Sequence, residues 1–327
     1  MRISSFVQRR RLIDGPWFAA AVLTALVMTG AAGQSTARGA STTAPVSTAA
    51  ATTSTPVMTR HPIAAVRPQP LKPAEYRLAY KFRANEDVYM PLATESRMVV
   101  QKGPATVTTT NQSTVERHIH VVAVEPDGSA TVDLFIDNVK LSYAFNNGTP
   151  TVYDTGTGDA PPRGFEGVKS SVGSRGRVRF STRGSVMPLP GVVANPSSDP
   201  SEASESFFDL LPTKPVHVGD EWFDDIKVQV SVSRTLKQKI AFRRRYTLES
   251  VDGDTATIRL RTAEITPVED PHIRAQLVQR APEGKITFSL ERGQITARDV
   301  SCNRTETGIM GEGSQIAATT HWKGSLR

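Results

Sequence analysis

The sequence predicts a mainly β protein: a curved, half-barrel-like antiparallel sheet built from two related meander units, with two or three short helices packed on it. Three observations support this prediction. From Tyr76 onward, apolar and polar residues alternate in runs rich in Val, Thr, Ile and Tyr, which is the pattern of half-buried strands. Turn residues such as Asp-Gly separate these runs, and two composite patterns recur in the same order along the chain.

The first 33 residues have the three parts of a signal peptide. Residues 9–11 are arginines, an apolar run extends over 17–28, and small residues at 31–33 suit signal peptidase. We predict a general secretory signal cleaved near Gly33, so the protein is expected to be periplasmic or extracellular. A twin-arginine signal is one alternative. An uncleaved leader is the other, and it would be the only contact with a membrane.

Residues 34–75 are predicted to be a disordered tether. They are rich in Ser, Thr, Ala and Pro, and they contain no acidic residue before Glu75. Such a segment cannot bury enough apolar surface to offset the entropy of ordering. We interpret it as an inert linker, with a spacer or a glycan carrier as alternatives, and the folded domain is expected to span 76–327.

Charge and cysteine content exclude several classes of protein. The formal net charge of +7 falls to +4 once residues 1–33, with four arginines and one aspartate, are removed. This value and the predicted export argue against a nucleic-acid partner. The single cysteine, Cys302, excludes an internal disulfide and a Cys-x-x-Cys site, and we interpret it as a small half-buried side chain.

Six segments are the clearest predicted strands, and turn residues separate several of them. Pro126-Asp127-Gly128, Asn146-Asn147-Gly148 and Asp252-Gly253 suit hairpin turns because Asn, Asp and Gly accept positive φ at low cost. A further turn is predicted at Arg292-Gly293, within the segment 286–300. The six segments are 115–124, 131–144, 227–232, 240–248, 255–265 and 286–300.

Two composite patterns indicate an internal duplication. A strand, an Asp-Gly turn and a second strand occupy 121–134 and recur at 247–260. A proline-started helix, a glycine and a hairpin occupy 161–186 and recur at 271–295. Because both patterns recur in the same order, we predict two related units rather than a coincidence of hairpin vocabulary.

The two predicted units span 76–191 and 214–327, and a connector at 192–213 joins them. Residues 195–205 of this connector are rich in Ser, Pro and acidic residues, so they are expected to be exposed. Each unit alone would leave an apolar face uncovered. We therefore expect one continuous sheet rather than two separate domains.

Short helices are predicted to cover the apolar face of this sheet. The proline-started segments suggest helices at 163–172 and 272–280. In the second, Ile273 and Leu277 lie on one side of the helix, as an amphipathic segment requires. One further apolar helical turn is predicted at 207–211, where the sequence is Phe-Phe-Asp-Leu-Leu before a proline.

A Val-Gly-Asp-x-Trp turn gives the sequence a resemblance to a known group. Residues 215–222 read Pro-Val-His-Val-Gly-Asp-Glu-Trp, and a strand-turn-strand follows around Phe288-Ser289 and Arg292-Gly293. Together they resemble a family of exported bacterial proteins of unknown function, whose domains are similar to the periplasmic lipoprotein-carrier fold. The resemblance implies a curved antiparallel half-barrel with helices against its concave side, and an apolar cavity. It implies no catalytic residues.

One histidine pair has a spacing that could bind a metal. His118 and His120 alternate within a predicted strand, so both imidazoles point to one face. No third ligand can be assigned, and Val122 and Val124 share that face. We therefore favour two partly exposed polar side chains.

Neither of two charged clusters is interpreted as a functional site. The four carboxylates at 220, 221, 224 and 225 are interpreted as solvated rather than as an acid-base pair: Asp220 belongs to the Val-Gly-Asp turn that starts a strand, and Asp224 and Asp225 are strand-edge charges. Arg243, Arg244 and Arg245, with Lys237 and Lys239, could bind anionic head groups. The preferred interpretation is an edge strand protected from aggregation by charge.

The remaining motif searches predict no catalytic, cofactor-binding or metal-binding residue and no cofactor. Residues 154–159, Asp-Thr-Gly-Thr-Gly-Asp, lack the ligand spacing of a calcium loop and are expected to form a long turn. The serine-hydrolase elbow, the phosphate-binding lysine loop and the zinc-protease helix are missing from the sequence.

Three functions remain open from the sequence. The first is a non-catalytic envelope protein that binds a lipid or another apolar or amphipathic ligand between sheet and helices. The second is a structural module that holds an envelope protein or a wall polymer. The third, ranked last, is a hydrolase with an unrecognised site.

Overall fold

The computed structural model describes residues 74–189, 207–233 and 236–326. The predicted leader, nearly all of the tether and the acidic part of the connector lie outside these residues. Within them the chain forms strands β1–β13 and helices α1 and α2. The strands are β1 (Asp87–Tyr89), β2 (Leu92–Lys102), β3 (Ala105–Val124), β4 (Ala130–Phe145), β5 (Thr151–Asp154), β6 (Gly173–Phe180), β7 (Val186–Met187), β8 (Glu221–Ser231), β9 (Lys237–Asp252), β10 (Thr255–Glu264), β11 (Glu283–Ser289), β12 (Gln294–Thr307) and β13 (Ser314–Ser325), and the helices are α1 (Glu166–Lys169) and α2 (Pro271–Leu277).

All of these strands belong to one antiparallel sheet that is not closed. The order is β7-β6-β4-β3-β2-β13-β12-β11-β10-β9-β8, with β1 on β3 and β5 on β4. The mainly β, antiparallel architecture predicted from the sequence is confirmed.

Strand pairing follows the same order in the two predicted units. In the first, β2, β3, β4, β6 and β7 are successive neighbours; in the second, β8, β9, β10, β11 and β12 are. A short helix precedes β6 and another precedes β11. The last strand, β13, pairs with β12 on one side and β2 on the other, and so joins the two meanders. A common origin of the two units stays a prediction.

One apolar core explains how the sheet curves. Core residues in a single cluster come from β3, β4, β6 and β8 to β13, and they include side chains near both ends of the sheet. Strands that are far apart in the sheet can share one core only if the sheet bends around it. The largest fully buried side chains of this core are Tyr246, Phe180, Phe288, Leu78, Ile119, Leu134, Leu211, Leu248, Ile258 and Leu260, and Phe242 and Leu277 belong to a second, smaller cluster.

The predicted hairpins form, including the one with a turn at Arg292-Gly293. Turns at Pro126-Asp127-Gly128 and Asp252-Gly253 connect β3 to β4 and β9 to β10. At the third turn, Asn146 and Asn147 adopt φ values of 48° and 57°. The segment 286–300 is two strands, β11 and β12, separated by the turn that contains Gly293.

The two predicted helices have different outcomes. Helix α2 begins as expected, because the Asp270 side chain accepts a hydrogen bond from His272 N and Pro271 occupies the first turn. Helix α1 has only four residues, so the helix predicted over 163–172 was too long. Its N-cap, Phe165, provides no side-chain hydrogen bond for the first turn. Among residues 74–189, 207–233 and 236–326, no helix has the length and apolar character needed to cross a membrane.

The helical turn predicted at 207–211 was wrong. Apart from a turn at Phe207, this segment has no regular secondary structure. Its backbone groups bond to distant partners: Leu211 N donates to Arg183 O, and Leu210 O accepts from Trp222 Nε1 at 2.7 Å. Such partners replace the bonds that a helix would make within itself.

The arginine cluster does not lie on an edge strand. Arg243, Arg244 and Arg245 are in β9, which pairs with β8 and β10. The edge strand at this end of the sheet is β8, and it carries three of the four carboxylates that the sequence analysis treated separately. These two clusters face each other across one strand pair: the ion pairs are Arg243–Asp225, Arg244–Asp224 and Arg245–Glu221.

Candidate functional site

An extended segment, residues 76–82, crosses the core side of the sheet and is called the strap here. Tyr76 forms a bridge with Val216. Further along, Tyr80 N donates to Thr182 O at 2.7 Å, and Lys81 N donates to Gly293 O at 3.0 Å. The strap thus contacts the β6–β7 turn and the β11–β12 turn, which occupy matching places in the two meanders.

Two glycines allow these turns to approach the strap. Gly184 and Gly293 have φ values of 83° and 63°. A Cβ on Gly184 would lie 2.8 Å from the Tyr80 ring, and one on Gly293 would lie 2.7 Å from Lys81 N. Both positions therefore require glycine for its conformation and its small size.

Beneath the strap lies a narrow apolar slot. Its cavity has a volume of about 20 Å³, which is room for about one water molecule. Partly buried aromatic side chains, including Phe82 and Phe207, fill the space around it. The slot is lined by Tyr80, Lys81, Phe82, Val88, Met90, Ile119, Phe207, Phe208, Gly293, Gln294, Ile295 and Leu326.

A buried carboxylate, Asp209, holds the segment 207–211 against the strap and the sheet. It is 4 % exposed. The backbone carbonyl of Asp209 accepts a hydrogen bond from Tyr80 Oη at 2.9 Å, and its side-chain Oδ1 accepts one from Tyr246 Oη at 3.2 Å. Its Oδ2 lies 3.3 Å from Arg298 Nη1. Burial raises the pKa of both tyrosines, so both remain neutral donors.

A second guanidinium, that of Arg117, lies beside the slot. Arg117 is 7 % exposed, and its Nε donates to Met90 O at 2.9 Å. The guanidinium carbon lies 4.6 Å from the centre of the Phe207 ring. Its Nη1 is buried without a hydrogen-bond partner. Burial, together with the charge of Arg298, lowers the pKa of Arg117 to about 9, so it is still charged at neutral pH.

The Val-Gly-Asp-x-Trp turn contacts the segment 207–211 through Trp222, whose Nε1 donates to Leu210 O. Gly219 N donates to Leu248 O, and His217 N donates to Asp220 Oδ2 at 2.8 Å. The turn delivers Trp222 to the core, where its ring stacks on Tyr246 at 5.6 Å. Asp220 is thus part of the turn, as predicted.

The paired histidines lie on the outer face of the sheet, away from the slot. His118 and His120 each contact a different aspartate: His118 Nδ1 is 2.8 Å from Asp137 Oδ2, and His120 Nδ1 is 2.7 Å from Asp87 Oδ1. Among the described residues no group of three or more His, Cys, Asp or Glu side chains could hold a metal ion.

Two other features flagged in the sequence have structural roles. In the segment 154–159, expected to be a long turn, residues Thr155–Thr157 form a short 3-10 helix, and its N-cap Asp154 accepts a hydrogen bond from Gly156 N at 2.9 Å through Oδ1. Cys302 is 3 % exposed, more buried than predicted, and its Sγ donates to Val278 O. Burial raises the pKa of this thiol.

Sequence reasoning missed the residues that form the polar part of the site. Arg117 occupies an inward position of β3, in the alternating row that also contains Val115, Ile119 and Val121. An arginine in such a row was a usable signal, because a charge is rarely buried without a reason. Asp209 gave a similar signal between two phenylalanines and two leucines.

Comparisons with known proteins give limited likenesses. No protein-family model and no curated protein matches the chain. One similar solved structure, described as lipid-protein interactions in lipovitellin, has 11 % identity and a TM-score of 0.41, and the match covers 76 % of this chain and 25 % of that one. Another is a DUF1329 family protein from Desulfovibrio piger, with 11 % identity, a TM-score of 0.15, and coverage of 72 % of this chain and 85 % of that one. The chain thus spans a quarter of the lipovitellin chain.

Proposed function

We propose that this chain is an exported, non-catalytic envelope protein that binds an apolar or amphipathic molecule in the slot beneath the strap. The observation that carries the proposal is the slot itself: an apolar recess on the core side of the sheet, next to a buried guanidinium. Apolar pockets with a few polar groups at one end are the usual form of small-molecule sites.

Ligand entry requires side chains to move, because a cavity of about 20 Å³ is far smaller than an aliphatic chain. Phe82 and Phe207 are the side chains expected to move, since both line the slot and both are only partly buried. They belong to the strap and to the segment 207–211, neither of which is part of a sheet strand. Displacing either leaves the strand pairing intact.

The arrangement of titratable groups supports a non-catalytic role. The hydrolase hypothesis needs convergent carboxylates, or His118 and His120 beside a polar cleft. Instead, each histidine of this pair contacts its own aspartate on the outer face. The carboxylates of β8 form ion pairs with the arginines of β9.

The first test is identification of a molecule that copurifies with the full chain. The protein is expressed in an exporting bacterial host, purified and extracted under denaturing conditions, and the extract is analysed by mass spectrometry. We expect a stoichiometric lipid or other apolar compound. A ligand-free protein that also fails to bind added lipid would contradict the proposal.

A matched pair of variants locates the ligand. Val88 lines the slot and is 8 % exposed, whereas Val152 is 67 % exposed on β5. Val88→Phe fills the slot, so it is expected to copurify without ligand. Val152→Phe makes the same change at the surface and is expected to retain the wild-type amount. Equal loss in both variants would place the ligand elsewhere.

A structural or protein-binding module is the second candidate. The tight packing of the slot favours it, because a filled interior suits a protein that works through its surface. A stable, ligand-free preparation in the same experiment supports this alternative.

A further inference from the structure

The buried cluster next to the slot contains more positive than negative charge. Arg298 Nη1 lies 3.3 Å from Asp209 Oδ2, and the charges of both residues act on the pKa of Arg117. Both oxygens of Asp209 are already engaged, by Tyr246 Oη and by Arg298. A buried charge without a counter-charge is costly, so one positive charge in this cluster lacks a partner of its own.

Neighbouring charges do not remove this excess. The Asp224–Arg244 pair nearby is internally balanced, with 3.6 Å between Oδ2 and Nη1. Arg183 is only half-buried, and its Nε donates to Leu211 O. The imbalance of one charge therefore remains among Arg117, Arg298 and Asp209.

Arg117 lies where the polar cluster meets the apolar slot. Two of its contacts, the carbonyl of Met90 and the ring of Phe207, belong to residues that line the slot. The ring covers a face of the guanidinium, and Nε is satisfied by Met90. Nη1 has no partner and remains available for an in-plane hydrogen bond.

A bulge in β12 brings the second arginine to the same face as the slot. Phe288 pairs with Ile295, but the next residue back, Thr287, pairs with Ala297, so Thr296 is the extra residue. Because of this extra residue, Ile295 and Arg298 face the core together despite their odd spacing. Ile295 lines the slot, and Arg298 contacts Asp209.

We propose that the ligand of the slot is a singly charged anionic amphiphile, a long-chain carboxylate, whose head group binds Arg117 beside Arg298 while its tail occupies the slot. This inference rests on the proposed function. One negative charge matches the excess in the cluster, and a guanidinium has the planar donor geometry that a carboxylate accepts. The head group thereby supplies the partner that Nη1 of Arg117 lacks.

The test compares two probes that share one tail, of which one has a charged head group and the other a neutral one. The purified full chain is titrated with cis-parinaric acid and with its methyl ester. The fluorescence of both probes rises in an apolar site. We expect the acid to bind at least about tenfold more tightly than the ester, since hydrogen bonds to charged groups are worth at least this factor. Equal binding would overturn the head-group inference and leave the apolar slot intact. Binding of neither probe would overturn the proposed function itself.

Variants assign the preference to Arg117. Arg117→Leu is expected to bind the acid and the ester with similar affinity, and Arg117→Lys is expected to keep part of the preference. Arg243→Leu is the control, because Arg243 also lies over a phenylalanine, Phe223, but is exposed on the outer face. A full preference in Arg117→Leu would overturn the assignment. Thermal melts and circular dichroism establish that each variant is folded.

Competition distinguishes the carboxylate from other anionic heads. Bound cis-parinaric acid is challenged with oleate, oleyl alcohol and oleoyl lysophosphatidylglycerol, which share one tail. We expect oleate to displace the probe most effectively and oleyl alcohol least. Displacement by the phosphodiester and not by oleate would overturn the choice of a carboxylate.

Discussion

Two neighbouring Arg–Asp ion pairs show how burial changes the pKa of chemically identical carboxylates. Arg243 and Arg244 are consecutive in β9, and they pair with the consecutive residues Asp225 and Asp224 of β8. Arg243 lies on the outer face with 51 % of its side chain exposed, and Arg244 lies on the inner face with 7 % exposed. The alternation of a strand places identical pairs in opposite environments.

The two aspartates respond in opposite directions. Hydrogen bonding from Arg243 lowers the pKa of Asp225. Burial raises the pKa of Asp224, although Arg244 acts against this shift. Loss of hydration thus outweighs a counter-ion at 3.6 Å on the inner face. Charges on the inner face of the sheet lower the stability of the fold through lost hydration, so we expect those that are present to have a structural or binding role.

The largest expected effect is the loss of the buried carboxylate at the centre of the inner face. Asp209→Asn removes the counter-charge of Arg298 and leaves both nearby guanidinium groups uncompensated. Removing one partner of a buried pair costs about 3–5 kcal/mol of unfolding free energy. Urea-induced unfolding measures this loss.

Asp225→Asn is the matched control on the outer face, where water solvates the remaining arginine. We expect a small change in the urea midpoint, because exposed ion pairs contribute little to stability. Similar losses in the two variants would contradict the inner-outer distinction.

A smaller effect is expected from the glycines. Gly293 and Gly253 both have positive φ, 63° and 55°, but only Gly293 faces the strap. Gly253→Ala should cost about 1–2 kcal/mol from backbone strain alone. Gly293→Ala should cost about 2 kcal/mol more, because the new methyl group overlaps the Lys81 backbone. Urea unfolding of both variants gives the difference in unfolding free energy. Equal losses would show that the strap can move away from the new methyl group without a loss of stability.

A still smaller change is expected when the excess inner charge is removed. Arg117→Leu replaces a buried, partly unsatisfied guanidinium with an apolar side chain in an apolar row. We expect its unfolding free energy to stay within about 1 kcal/mol of wild type, or to rise, because apolar replacements of buried charges are often neutral or stabilising. A large loss in urea unfolding would mean that Arg117 stabilises the fold rather than serving a ligand.

The parts of the fold that depend on local patterns could be predicted from the sequence. Alternation gave the strands, and turn residues such as Asp252-Gly253 gave the hairpins. Helix α2 was predictable because Asp270 and Pro271 mark its start. Helix α1 was overextended because a proline start and apolar spacing do not report a missing N-cap bond.

The site depends on contacts between residues that are distant in sequence. Asp209 lies 129 residues from Tyr80 and 37 from Tyr246, so no local pattern could pair them. The segment 207–211 looked helical because local spacing cannot show that its backbone bonds go to other segments. The edge strand was misplaced for the same reason, since the neighbours of β9 are set by the whole sheet.

The smallest and most specific effect is a difference in sign with pH. Asp225 has a lowered pKa, so its contribution to stability is present above the ordinary aspartate pKa and is lost as the pH falls through the lowered value. Asp224 has a raised pKa, so the folded state binds its proton more tightly than the unfolded chain does. Its contribution is present below the ordinary value and is lost as the pH rises through the raised one.

Unfolding free energies of wild type, Asp225→Asn and Asp224→Asn between about pH 3 and 7 separate these contributions, because asparagine does not titrate near the aspartate pKa. We expect the advantage of wild type over Asp225→Asn to shrink as the pH falls. The advantage of wild type over Asp224→Asn should instead grow, or its deficit should shrink, over the same interval. If the two differences in unfolding free energy change with pH in the same direction, Asp224 remains hydrated. The inner face would then lack the desolvation that makes its charges costly.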